Sequence, residues 1–98
     1  MQLTIQDALK KGIEAHKSGN LRKADLYYTA ILDKNPNHPD ANHNMGVLAI
    51  GLGKLEEATV FFEKALKVNS GVFQFWYSYL EAMLKLGKIS EVRKHLIM

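Results

Sequence analysis

The sequence predicts an all-α fold, an α-solenoid of three helix–turn–helix units that forms a single domain over residues 1–98. Apolar residues recur at helical spacing in segments that short Gly, Asn or Pro turns separate. The pattern also repeats with a period of 34, which relates Gly53 to Gly19 and Gly87. A helix–turn–helix with this period is typical of a stack of repeats. The expected copies span about residues 5–38, 39–72 and 73–98.

The first two helices have recognisable start signals. Thr4 can cap the first helix, with Asp7 three residues on as an acidic partner. Asn20 is a good cap for a second helix over about Leu21–Lys34. Gly12 inside the first helix costs about 1 kcal/mol relative to Ala, which indicates that two backbones approach closely there.

The later helices follow the same rules. Pro39 fits the first turn of a third helix, where its missing N–H is not needed. Glu56 and Glu57 in the first turn of the fourth helix complement its dipole. Helices three to six are expected at about 39–52, 55–68, 72–86 and 89–98. The connections are short, which predicts antiparallel neighbours.

The fifth predicted helix carries most of the aromatic residues. Trp76, Tyr79 and Met83 share one side of this helix, and we interpret that stripe as core. Phe73 and Tyr77 lie four residues apart on a different side. An exposed aromatic residue there is a plausible anchor for a bound peptide.

The third copy departs from the first two. Leu80 stands where Gly12 and Gly46 stand, and Val92 replaces an alanine, so we expect a wider approach between helices five and six. The third unit is therefore degenerate or incomplete. A repeat stack needs a polar terminal cap, and none follows helix six. We expect either a longer natural chain or a homo-oligomer formed through this uncapped C-terminal edge.

Composition narrows the functional classes. The formal charge of +3 is weakly basic and scattered, which argues against nucleic-acid binding. No apolar stretch approaches the roughly 18 residues of a membrane span, and no signal peptide is visible. The chain has no cysteine, which excludes disulfides and thiolate chemistry. These observations predict a cytoplasmic protein without membrane contact.

The sequence contains no recognisable catalytic constellation. The four histidines have no Cys or clustered carboxylate to complete a metal site. Glu56 and Glu57 are consecutive in a helix and cannot face each other. We therefore predict a non-enzyme with no cofactor, no metal and no catalytic residue.

The repeated residues resemble the tetratricopeptide repeat, whose pattern is W-x2-L-G-x2-Y, then A-x3-F, then P. The first copy contributes Gly12, Ala15, Ala24, Tyr28 and Pro36, and the second contributes Met45, Gly46, Ala49, Ala58 and Phe62. The resemblance implies a right-handed stack. Asn44 before Met45-Gly46 is also similar to the arrays of bacterial and O-linked N-acetylglucosamine transferase-type proteins, which carry an asparagine at that place.

The resemblance implies that the first helix of each repeat lines a concave groove that binds a peptide or protein segment. The matching positions here are Lys10, Ile13, Asp40, His43, Asn44, Val47, Gln74, Tyr77, Ser78 and Glu81. Gln6 belongs to the same surface. Most positions that clamp the acidic tails of heat-shock chaperones in related repeats do not match, so that partner is disfavoured.

Two alternative functions stay open at this point. The chain could be the substrate-presenting N-terminal part of a larger enzyme, such as a glycosyltransferase. It could also bind RNA, but RNA-reading repeats need stacking and base-edge groups at equivalent sites. Leu9, His43 and Tyr77 occupy such equivalent sites and differ in kind. A protein–protein interaction module is the favoured hypothesis.

Overall fold

The protein is all-helical over residues 3–87, which are the residues that the computed structural model describes. Five helices follow one another: α1 (Ile5–Lys17), α2 (Leu21–Lys34), α3 (Pro39–Gly51), α4 (Leu55–Val68) and α5 (Phe73–Lys85). The predicted bounds of α2 and α4 are confirmed, α3 ends one residue earlier than predicted, and α5 is one residue shorter than predicted at each end.

Side-chain caps begin three of the helices. Thr4 Oγ1 accepts the backbone N–H of Asp7 at 3.0 Å, and Asn20 Oδ1 accepts that of Lys23 at 3.2 Å, so both predicted caps are confirmed. At α3 the cap is a histidine, because His38 Nδ1 accepts the Ala41 N–H at 3.1 Å. Histidine is not among the usual capping residues, so this cap could not be predicted from residue type.

Three glycines repeat one backbone conformation at the period of 34. Gly19, Gly53 and Gly87 have φ values of 81°, 76° and 76°, in the left-handed region that favours glycine. Each follows the C-terminus of α1, α3 or α5, where a residue in this conformation ends a helix. The glycines that repeat every 34 residues in the sequence therefore mark the same turn conformation at three places.

The helices form an open arrangement in the described part of the chain. Each helix packs against the next, and α3 also contacts both α1 and α5. Within residues 3–87, α1 and α5 do not contact each other, so the helices do not close into a bundle. The structure measures 48 × 25 × 18 Å along its principal axes. Helices α1, α3 and α5 consequently line one side, with α2 and α4 behind them.

A glycine facing an aromatic ring holds each helix pair together. A Cβ on Gly12 would lie 2.5 Å from Tyr28 Cε1, and one on Gly46 would overlap Phe62 Cε1. Both rings are fully buried. The close backbone approach predicted from the helical glycines is confirmed, and its partner in each pair is the ring one helix later.

The predicted core stripe of α5 needs one correction. Tyr79 and Met83 are buried as expected, but Trp76 is only half-buried. Its indole N–H donates to the Ser70 carbonyl at 2.8 Å, so the ring closes the turn before α5 while packing against the core edge. Leu80, which replaces the repeated glycine, is also partly buried against this core.

Several predictions fall outside the described residues. These are the sixth helix at 89–98, the wider approach between helices five and six, and the uncapped C-terminal edge. The second helix of the third unit therefore has no structural account. Among the residues that are described, no helix is long and apolar enough to span a membrane.

Replacing Gly46 with Ala should lower the free energy of unfolding by about 1–2 kcal/mol. Overpacking a core costs about 1–3 kcal/mol, which exceeds the roughly 1 kcal/mol gained in helix propensity. The Phe62 ring is fully buried, so it cannot move away from the added methyl group without disturbing the core. Urea denaturation of Gly46→Ala measures the change.

Gly51→Ala is the matched control for this substitution. Gly51 is the second glycine of α3, and nothing lies within 4 Å of a Cβ built there. Its replacement should leave stability unchanged or slightly higher. Equal effects of the two substitutions would contradict the role given to the glycine–aromatic contact.

Candidate functional site

Two of the predicted groove residues meet in a buried hydrogen bond between α3 and α5. His43 Nε2 lies 2.8 Å from Ser78 Oγ. His43 is 9% exposed and Ser78 is 5% exposed. Their polar atoms are therefore hydrogen-bonded to each other inside the protein. These two residues lie beneath the predicted surface and are not accessible to a partner.

The surroundings of His43 define its tautomer. Its Nδ1 lies 3.4 Å from Asn44 Oδ1, an amide oxygen that only accepts hydrogen bonds. The neutral ring therefore carries its proton on Nδ1, and Nε2 accepts a hydrogen bond from the Ser78 hydroxyl. The ring also packs against Phe62 and Phe75, with centroid distances of 5.5 and 5.0 Å.

Burial lowers the pKa of the His43 imidazole from its ordinary value of 6.5. The hydrogen bond with Asn44 and the charge of Asp40 act in the opposite direction but are the weaker causes. Desolvation disfavours the charged form of a buried base. His43 is therefore neutral at neutral pH and supports the α3–α5 contact in that form.

The accessible part of α5 carries an aromatic pair. Phe73 is 77% exposed and Tyr77 is 54% exposed. Their ring centroids lie 6.3 Å apart with an angle of 35° between the planes. Glu81 follows one turn later on the same side of α5 and is half-buried. The predicted separation of this side from the core stripe is confirmed.

The other predicted residues vary in their exposure. Lys10, Asp40 and Gln74 are exposed, whereas Ile13, Asn44 and Val47 are half-buried. An open depression of about 440 Å³ runs beside α1. Its lining consists of Gln6, Leu9, Lys10, Ile13, Glu14 and Lys17. The structure thus places the predicted groove residues on the three helices that share one side.

Charge is unevenly distributed among these three helices. α1 carries Lys10, Lys11 and Lys17. α3 has no Lys or Arg, and in α5 the first such residue is Lys85 in its last turn. Three lysines against Asp7 and Glu14 leave α1 with a net charge of +1, whereas Asp40 gives α3 a charge of −1 and Glu81 and Lys85 cancel in α5.

Sequence reasoning missed the partners of two buried polar residues. Asn42 is almost fully buried, and its Nδ2 donates to the carbonyls of Pro36 at 3.0 Å and His38 at 3.1 Å. This amide fixes the turn that precedes α3. The His43–Ser78 pair had a usable signal, since the two positions are 35 residues apart, one more than the repeat period.

Within residues 3–87, no three His, Cys, Asp or Glu side chains cluster in a way that could hold a metal ion. The hydroxyl of Ser78 is paired with a buried imidazole inside the helix interface. The arrangement presents exposed aromatic, amide and charged side chains on α3 and α5.

Paired antiparallel helices that repeat the same glycine–aromatic contact define a helical repeat protein. The tetratricopeptide repeat family model matches residues 27–59, which include all of α3. An uncharacterized protein of Methanocaldococcus jannaschii is 35% identical over 60 residues, or 61% of this chain and 70% of that protein. The chain belongs to the tetratricopeptide repeat family. Members of this family generally mediate protein–protein interactions and are typically non-catalytic.

Ser78→Ala should destabilise the protein by about 1–3 kcal/mol, because it leaves a buried ring nitrogen without its partner. Thermal or urea denaturation measures the loss. Ser70→Ala is the matched control, since Ser70 is exposed and only its carbonyl takes part in a described hydrogen bond. A change within about 0.5 kcal/mol is expected for that control. Equal stability of the two variants would contradict a structural role for the His43–Ser78 bond.

The free energy of unfolding should fall as the pH drops below 6.5, the ordinary pKa of His43. The folded state has a lowered pKa, so the unfolded chain takes up a proton that the folded chain resists. This contribution is complete above 6.5 and is lost as the pH approaches the lowered value. Urea midpoints between pH 7.5 and about pH 5 would measure the slope. His43→Gln should reduce it, and an unchanged slope in that variant would contradict the assignment.

Proposed function

We propose that this protein is an interaction module that binds an extended segment of a partner protein on the surface of α1, α3 and α5. The observation that carries the proposal is the exposed pair of Phe73 and Tyr77 on this surface. Large aromatic side chains dominate the energetics of protein interfaces. Their exposure on one side of a helix whose other side is core supports a binding role.

The packing beneath this pair supports a rigid binding surface. The His43–Ser78 hydrogen bond links α5 to α3, and Phe75 on α5 packs against the His43 ring. A surface held in place before binding loses less conformational entropy when a ligand arrives. Phe73 and Tyr77 are therefore presented in a defined position relative to α3.

Asn44 supports recognition of a peptide backbone. Its Oδ1 faces His43 Nδ1, while its NH₂ group extends from the opposite side of the same amide. An amide N–H can donate to a peptide carbonyl without reading the sequence of the peptide. This role is the one suggested by the resemblance of Asn44 to the asparagine of O-linked N-acetylglucosamine transferase-type arrays.

Tyr77→Ala combined with Asn44→Ala should weaken peptide binding by roughly thirtyfold or more, which corresponds to about 2 kcal/mol at an aromatic anchor. The ligands are dodecapeptides selected by phage display on the immobilised protein. Their affinities are measured by isothermal titration calorimetry, and circular dichroism checks that helicity is retained.

Leu26→Ala combined with Val60→Ala is the matched control, because both residues are exposed and lie on α2 and α4. It should leave the affinity unchanged. Full binding by the Tyr77 and Asn44 double variant with intact helicity, or a loss only in the control, would reject the assignment of this surface.

A further inference from the structure

We propose that Phe73, Tyr77 and Glu81, here called the aromatic–acid stripe, bind an arginine side chain of the partner segment. This inference rests on the proposed function and names the chemistry of one part of the ligand. It concerns the end of the surface formed by α5, away from the lysines of α1.

The stripe has the geometry of a single row along α5. Its residues are four apart, so successive Cβ atoms lie about 5–6 Å from each other on one side of the helix. The Phe73 and Tyr77 rings have centroids 6.3 Å apart and planes tilted by 35°. Glu81 continues the row one turn beyond Tyr77.

A guanidinium group can interact with both components of the stripe, the aromatic rings and the carboxylate. It is planar and stacks on aromatic faces, and its forked N–H groups pair with a carboxylate. An ammonium group is a compact point charge without a planar surface, so it cannot stack on the rings and pair with the carboxylate in the same way. An aliphatic side chain would cover the rings but leave Glu81 without a partner in the complex.

The surrounding charges favour a cationic ligand at this end. Asp40 is exposed on α3, and α3 contributes no Lys or Arg. Lys85 follows Glu81 by four residues on the same side of α5, so an arginine reaches Glu81 from the side of the two rings and not from the side of Lys85. His43, the remaining basic side chain between the two helices, is buried and paired with Ser78. From Phe73 to Glu81 the carboxylate of Glu81 is the only charge on α5, so a cation beside the two rings would be attracted and an acidic segment repelled.

A peptide pair tests the arginine directly. The probes are the acetylated, amidated heptapeptides Gly-Ser-Leu-Arg-Leu-Gly-Ser and the same sequence with citrulline, a neutral isostere, in place of arginine. A third probe carries lysine there. Each is titrated into isotopically labelled protein to about 5 mM, where a Kd near 1 mM is still measurable by amide chemical shifts.

The arginine peptide should bind about five- to tenfold more tightly than the citrulline peptide, since stacking and pairing at an exposed site each contribute modestly. The shifts should centre on Phe73, Tyr77 and Glu81. Glu81→Gln should remove the preference. Glu63→Gln on α4, which is exposed and lies on the opposite helix layer, should preserve it.

Several results would overturn the assignment. They are equal affinity for the arginine and citrulline peptides, equal affinity for the lysine peptide, a preference that survives Glu81→Gln, and no shift up to the highest concentration. Self-association through α5 without an arginine preference would overturn it too. The phage-selected dodecapeptides test the wider surface independently of arginine. If they no longer bind the Tyr77 and Asn44 double variant, the proposed function stands even when the arginine assignment fails.

Discussion

The fold depends on the contact between a helical glycine and an aromatic ring of the next helix. Gly12 meets Tyr28, and Gly46 meets Phe62, at distances that leave no room for a Cβ. The missing side chain lets two backbones approach, and the ring packs against the glycine in the space between them. Repeating this contact after 34 residues gives each pair the same geometry, so the odd-numbered helices come to lie on one side.

The candidate binding surface is a consequence of that arrangement. Because α3 contacts α5, a buried bond between His43 and Ser78 can join them. The same bond removes two polar groups from the surface and leaves Phe73 and Tyr77 as its most prominent accessible features. The part of the surface available to a partner is thus more aromatic and less polar than the sequence positions alone suggest.

Much of the fold could be predicted because its signals are local or periodic. Caps at Thr4 and Asn20 and the glycine turns depend on residues within a few positions of each other. Exposure is harder to predict. His43 and Tyr77 occupy comparable positions in successive repeats, yet one is buried and the other projects outward. That difference arises from packing across helices, which spacing within one helix cannot reveal.

The helices, their turns and the close approach within each pair follow from residue type and a fixed period, so the amino-acid sequence was sufficient to predict them. The packing of one helix against another determines which polar groups stay accessible at the surface. His43 and Ser78 are 35 residues apart and become partners only when α3 and α5 pack together. The physical reason is that desolvation and hydrogen bonding of a side chain depend on neighbours from other helices, whereas helix formation depends mainly on neighbours along the chain.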